Sequence, residues 1–155
     1  SSAYRALSAF FGRLSLGIDL RKQPPGNLRS IHRWLTLYKR FRALLHSGIT
    51  VRSGESDRGF LAHGVVGEDR DEALFALVWL ERTLASRRVR LEGLDAFTSY
   101  RIEVIGPRPA EPQAVTPSWA SGALVLTGRA LGAAGVPLPP ARRGSAMLLH
   151  LQSVA

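Results

Sequence analysis

Few side chains in this 155-residue sequence are placed to move protons, and they are scattered. Acid–base chemistry usually needs two carboxyl groups held within reach of one reacting bond. Four of the five aspartates fall in segments that predict turns, where Asp accepts local backbone hydrogen bonds. These four are Asp57, Asp69, Asp71 and Asp95. The fifth, Asp19, closes a short apolar run, and a structural or capping role is favoured for it.

The other groups that could do chemistry also lack partners. The four histidines are His32, His46, His63 and His150, and no metal-ligand spacing joins them. Cysteine is absent, which excludes disulfides and thiolate metal sites. Ser145 and the other serines lack the context of a nucleophile elbow, and no glycine-rich phosphate loop is present. The sequence therefore predicts no catalytic residue, no metal and no cofactor.

The net charge of +9 raises the question of nucleic acid. The basic residues are almost all arginines, with Lys22 and Lys39 as the two lysines, and they are spread along the chain. Aromatic residues do not interleave with them as they would on a base-stacking face. Nucleic-acid binding is therefore not favoured. No apolar run approaches the ~18 residues of a membrane span. The first residues do not resemble a secretion signal, so a cytoplasmic location is expected.

The predicted secondary structure that positions these residues changes near Gly48, from mainly helical before it to mainly β after it. The spacing of apolar residues predicts a helix over 3–13, and the apolar run 14–20 predicts a buried parallel strand. A long amphipathic helix is predicted over 28–46, with Asn27 as its N-cap and Gly48 as the residue that ends it. Its apolar residues fall on one broad face: Leu28, Ile31, Trp34, Leu35, Tyr38, Phe41, Leu44 and Leu45.

After Gly48 the sequence favours strands separated by turns. Strands are predicted over 49–52, 60–66, 72–80, 87–91, 99–105 and 146–151, with a further strand within 119–126 and a helical turn over 128–134. The number and spacing of these strands are typical of an antiparallel β-sandwich. The predicted fold class is therefore mainly β, with one domain over 48–155 preceded by a strand–helix piece over 1–47.

Several phrases, in the same order along the chain, resemble the C-terminal end of bacterial α-galactosidases of glycoside hydrolase family 36. The end of the long helix, Trp34 to Lys39 and Arg42 to Gly48, is similar to the family's YK..R.LLHSG stretch. The other similar phrases are Phe11 to Leu20, His63 to Val66, Glu72 to Ala76, Val89 to Asp95 with Tyr100 and Arg101, Gly128 to Leu131, and Gly135 to Pro139.

The resemblance implies a catalytic (β/α)8 barrel followed by an antiparallel sandwich, in an enzyme that hydrolyses terminal α-galactosides with retention. Residues 14–20 would be the last barrel strand and 28–46 the last barrel helix. The family's Asp nucleophile and Asp acid/base would lie before Ser1, so this chain alone is expected to be inactive. Many members have Glu two residues before the closing Asp, whereas this sequence has Gly17 there, and a role for that acid is in doubt.

The resemblance implies that the chain's partner is the catalytic barrel of the same longer protein, which alone would meet the galactoside, with a homo-oligomer as a further expectation. Two candidates for a sugar contact are Asp19, at the C-terminal face that the resemblance implies for the barrel, and Trp119, after a proline-rich loop. Trp34 and Trp79 are predicted to be core residues. The alternatives are a free-standing carbohydrate-binding sandwich, which would need an exposed aromatic platform, and, less favoured, a basic nucleic-acid-binding domain.

Overall fold

A computed structural model describes residues 6–7, 9–11, 19–54, 56–106, 117–122 and 124–155. These ranges contain the helices α1 (Pro25–Ser47) and α2 (Gly128–Ala133), and short 3-10 helices span Leu20–Lys22 and Ser118–Ser121. The strands are β1 (Ile49–Arg52), β2 (Phe60–Val66), β3 (Glu72–Trp79), β4 (Arg87–Val89), β5 (Ser99–Ile105), β6 (Leu124–Thr127), β7 (Val136–Leu138) and β8 (Ala146–Val154).

The strands form two antiparallel sheets. The larger sheet has six strands in the order β1-β2-β3-β8-β5-β6, and the smaller pairs β4 with β7. The predicted mainly β sandwich is confirmed, and the observed strands follow the predicted ones closely. The main differences lie at the strand ends. The strand predicted over 87–91 ends at Val89, the one predicted over 146–151 continues to Val154, and the segment 119–126 divides between a 3-10 helix and β6.

The six-stranded sheet is covered on both faces, which explains why β3 is buried from Ala73 to Trp79. One face packs against the β4–β7 sheet and α2, through a core that includes Phe75, Tyr100 and Leu131. The other face packs against α1. Successive residues of a strand point to opposite faces, so the two cores take alternate residues of β3. The molecule therefore has three layers: helix, large sheet and small sheet.

The long helix is confirmed, but its predicted start is wrong. It begins at Pro25 with Pro24 as the N-cap, rather than after Asn27. Proline suits the first helical position because its fixed φ matches the helix and its missing N–H would be unpaired there. The predicted helix over 3–13 is helical at Ala6, Leu7, Ala9 and Phe10. The predicted strand over 14–20 lies largely outside the described residues.

Gly48 ends α1, but with an extended backbone at φ −74° rather than in the left-handed region. A side chain is excluded at this position for a steric reason. A Cβ on Gly48 would meet the side chain of Val65, and it would lie 2.7 Å from the carbonyl oxygen of Leu44. Glycine is required because the helix end approaches β2 so closely.

Candidate functional site

The face of the large sheet that packs against α1 carries a core of large apolar side chains. The helix places Trp34, Phe41 and Leu44 against this face, where all three are buried. Leu7 and Phe10 extend the same core, and the ring of Phe10 meets that of Trp34 edge-on at 6.0 Å between centroids. Burying side chains of this size stabilises a contact by about 1.5–3 kcal/mol each.

A histidine–carboxylate pair lies beneath the helix. His150 of β8 is 7 % exposed, and its Nε2 atom is 2.8 Å from Oε1 of Glu72 on β3. The ring centroids of His150 and Phe41 are 4.9 Å apart. The Glu72 carboxylate is the hydrogen-bond partner of a ring nitrogen that α1 shields from water. The pair therefore gives the buried polar atoms of this contact a hydrogen bond.

A second histidine on the same face lies between an aromatic ring and a cation. The ring of His63 on β2 meets that of Phe11 at 4.6 Å between centroids. Arg52 of β1 is directly opposite His63 in the strand register. Burial and the nearby Arg52 guanidinium lower the pKa of His63 below its ordinary value of 6.5. The geometry thus favours the neutral imidazole.

Three of the four aspartates predicted to lie in turns, Asp57, Asp69 and Asp95, accept backbone hydrogen bonds through their side chains. Asp57 accepts from the Gly59 amide at 2.7 Å, and Asp69 accepts from that of Asp71 at 3.1 Å. The Gly59 amide also lowers the pKa of the Asp57 carboxyl, and the Arg87 guanidinium adds to this. No group of three or more His, Asp or Glu side chains in the described residues could hold a metal ion.

Asp19 and Trp119, the two candidates for a sugar contact, make local contacts. The Asp19 carboxylate caps the 3-10 helix by accepting from the Arg21 amide at 3.0 Å, and it also pairs with the Arg21 side chain. Trp119 is half-buried, and its Nε1–H donates to the Pro137 carbonyl at 2.9 Å. The predicted core positions of Trp34 and Trp79 are confirmed. A sugar contact at Asp19 or Trp119 stays a prediction.

Comparisons with known proteins point to one group of enzymes. The chain is 32% identical to an α-galactosidase of Escherichia coli, over 98% of this chain and 23% of that protein. It is 27% identical to the family 36 α-galactosidase AgaB of Geobacillus stearothermophilus, over 99% of this chain and 19% of that chain, with a TM-score of 0.79. This chain is similar to the C-terminal region of family 36 α-galactosidases.

A solved complex of a Geobacillus stearothermophilus AgaA variant with raffinose is 25% identical, with a TM-score of 0.79 over 97% of this chain and 19% of that one. The chain therefore spans about a fifth of the length of the α-galactosidases it matches. No family model matches the sequence. No helix in the described ranges is long and apolar enough to cross a membrane.

Two of the segments that resemble α-galactosidases, Val89 to Asp95 and Gly128 to Leu131, contact each other in the structure. The Asp95 carboxylate accepts from the amides of Phe97 and Thr98, and these bonds lower the pKa of the carboxyl. The segment around Gly128 contacts this turn: the Gly128 amide donates to the Thr98 carbonyl at 2.9 Å. A Cβ on Gly128 would collide with the backbone carbonyl of Asp95. Asp95 and Gly128, which lie in segments similar to α-galactosidases, thus stabilise the turn that begins at Asp95.

The Tyr100 hydroxyl links this turn to the β2–β3 connection by two hydrogen bonds. Its hydroxyl donates to the Arg70 carbonyl at 2.7 Å and accepts from the Asp95 amide at 3.1 Å. Burial raises the pKa of Tyr100 above its ordinary value of 10.0. Sequence reasoning placed Tyr100 in a strand but missed this role and the Glu72–His150 pair. Neither could be found from spacing along the chain, because the partners are 30 and 78 residues apart.

Proposed function

We propose that this chain is the non-catalytic C-terminal region of an α-galactosidase, a retaining glycoside hydrolase acting on terminal α-galactosides. The observation that carries the proposal is the unequal coverage. The match includes 97–99% of this chain but only 19–23% of the relatives named above. The complexes of AgaA variants with raffinose and stachyose support α-galactosides as the substrates of a longer parent.

We assign residues 1–47 to the end of the catalytic barrel and residues 48–155 to the sandwich, whose role is to stabilise the barrel. The three layers support this division. The helix α1 buries Trp34, Phe41 and Leu44 on the sheet, so an element assigned to the barrel is anchored to the sandwich by a core of large side chains. Loss of the sandwich would expose that core to water.

The hydrogen-bonding of the carboxylates supports the absence of catalysis. A retaining glycosidase holds two carboxyl groups about 5 Å apart with a sugar between them. Asp19, Asp57, Asp69 and Asp95 are instead engaged with nearby backbone amides. In this assignment the reacting carboxylates belong to the upstream part of the parent.

The carbohydrate-binding alternative has less support. Trp34 and Trp79 are buried, and the half-buried Trp119 packs against the sandwich core. Phe97 is 81% exposed, but it is a single ring with the Arg129 guanidinium 5.0 Å from its centroid. One partly covered ring is a small platform for a sugar. We therefore favour a structural role for the sandwich.

The upstream reading frame tests the proposal first. We expect it to encode a barrel with two carboxylate-bearing strand ends, joined directly to Ser1. Expression of that parent should give hydrolysis of an aryl α-galactoside, and deletion of residues 48–155 should shorten the half-life of the activity on heating. An unrelated upstream domain, or a parent without α-galactosidase activity, would contradict the assignment.

A further inference from the structure

Three loops meet at one end of the sandwich, where β2 begins and β3 ends. They span 53–59, 80–86 and 139–145. The Gly59 carbonyl accepts from the Glu81 amide at 3.1 Å, which joins the first loop to the second. The Ala141 carbonyl accepts from the Thr83 amide at 2.8 Å, which joins the second loop to the third. The three loops therefore form one continuous surface.

This surface carries four exposed arginine side chains that form no ion pair with the described residues. Each of them lies within two residues of the backbone bonds that join the loops. Asp57 does not neutralise them, because its carboxylate pairs with the Arg87 guanidinium at 3.2 Å. Leu84 lies in the second loop and is 77% exposed. The surface, which we call the arginine end, consists of Arg58, Arg82, Leu84, Arg142 and Arg143.

The opposite end of the same strands is acidic. The β2–β3 connection lies there, and residues 68–72 hold four carboxylates against one arginine, Arg70. Charge is therefore sorted along β2 and β3. The sequence does not reveal this asymmetry, because the arginines belong to three separate loops. A protein with such an asymmetry is oriented with its cationic end toward an anionic surface.

We infer that the arginine end docks on the anionic surface of a lipid bilayer, with Leu84 inserted at the boundary of the acyl chains. This inference goes beyond the proposed function. Guanidinium groups bind phosphate oxygens through paired hydrogen bonds. Basic side chains around an apolar one are the combination that holds a peripheral protein on anionic lipid.

The exposed Leu84 favours a bilayer over a nucleic acid. An aliphatic side chain gains from contact with acyl chains, whereas single-stranded nucleic acid is bound by stacking on aromatic rings. The exposed ring of Phe97 belongs to the other end of the molecule. Its turn is joined to the β2–β3 connection through the Tyr100 hydroxyl, which donates to the Arg70 carbonyl.

Co-sedimentation with vesicles tests the inference, for this chain and for its parent. The vesicles contain phosphatidylcholine alone or phosphatidylcholine with about 30% phosphatidylglycerol. We expect both proteins to bind the anionic vesicles and not the neutral ones. The partition coefficient should fall at least about tenfold between about 0.05 and about 0.5 M NaCl, because salt screens the arginines.

Variants locate the binding surface. Arg82→Glu combined with Arg142→Glu should lower the partition coefficient at least about tenfold. Leu84→Ser should lower it at least about threefold, because the apolar contact is lost. Arg101→Glu combined with Arg129→Glu is the matched control, since it makes the same change of charge at exposed positions away from the arginine end. Circular dichroism confirms that each variant is folded.

Equal loss of binding in the two double variants, or no binding to anionic vesicles, would overturn the inference. Tighter binding of a single-stranded oligonucleotide than of the vesicles, through the same arginines, would assign the arginine end to nucleic acid and overturn it. Binding by the isolated chain but not by the parent would also overturn it, since the rest of the enzyme would then cover this end. The α-galactosidase activity of the parent is measured separately and tests the proposed function alone.

Discussion

His63 is the residue whose surroundings make the strongest prediction about pH. Its imidazole packs on Phe11 and lies opposite Arg52, so a proton on the ring would be both desolvated and repelled. The pKa of His63 is lower in the folded chain than in the unfolded chain. On acidification the unfolded chain therefore takes up this proton first. The contribution of His63 to stability is present above its ordinary value of 6.5 and decreases as the pH falls below it.

We predict that the chain loses stability between pH 7.5 and pH 5, and that His63→Gln makes this loss smaller. One proton contributes at most about 1.4 kcal/mol per pH unit, and partial contact with water reduces that figure. Thermal unfolding at a series of pH values measures this loss of stability in the wild type and in His63→Gln. His32→Gln, at an exposed position on α1, is the matched control for the loss of one histidine. If the stability of His63→Gln decreased with falling pH as much as that of the wild type, the contact would be insensitive to protonation of His63.

Tyr100 makes the other prediction at this scale. Its hydroxyl joins the Arg70 carbonyl to the Asp95 amide, and the side chain is buried. Tyr100→Phe leaves both backbone groups without that partner and should lower the free energy of unfolding by about 1–3 kcal/mol. Denaturant unfolding checks this. Tyr38→Phe is the control, because the Tyr38 hydroxyl contacts His46 at an exposed position and its loss should cost less.

At the scale of elements, the two sides of α1 make opposite predictions for the isolated chain. Phe41 is buried between the helix and the sheet, so Phe41→Ala should lower the free energy of unfolding by about 3–5 kcal/mol. Leu28→Ala removes an exposed side chain and should change it by less than about 0.5 kcal/mol. Urea unfolding of the two variants measures the difference. Similar losses in both would contradict the assignment of the two sides.

Most elements could be predicted from the sequence because local signals carry them. The strand predicted over 99–105 is observed as β5, and those predicted over 60–66 and 72–80 are observed as the antiparallel pair β2 and β3. The start of α1 was missed because Asn27 is a good N-cap, yet the rigid ring of Pro25 begins the helix three residues earlier than predicted. Gly48 was correctly placed at the helix end, but its steric reason depends on β2 and could not be inferred locally.

The order of the strands in the large sheet could not be predicted from the sequence, because it also depends on contacts between distant residues. The last strand, β8, lies between β3 and β5 in the centre of the large sheet. This places His150 beside Glu72 and beneath Phe41, three residues that belong to distant parts of the chain. Local periodicity predicts that β8 is a strand, but it says nothing about the neighbours that the strand pairs with. The contacts of this face therefore required the structure.

At the scale of the whole molecule, the three layers and the coverage of the relatives lead to the same account. The chain has a sandwich and a long helix that packs on one face of its large sheet. It corresponds to about a fifth of the α-galactosidases it matches. We propose that this fifth stabilises the enzyme and that the remainder breaks the glycosidic bond.

The most direct test of this account is an assay of the purified chain with an aryl α-galactoside, beside a mock purification and the parent enzyme. We predict release of the aryl group by the parent and none above the mock level by residues 1–155, at any pH from 4 to 8. Turnover by the isolated chain that co-purifies with it and exceeds the mock would contradict the account, since it would place catalytic groups within these residues.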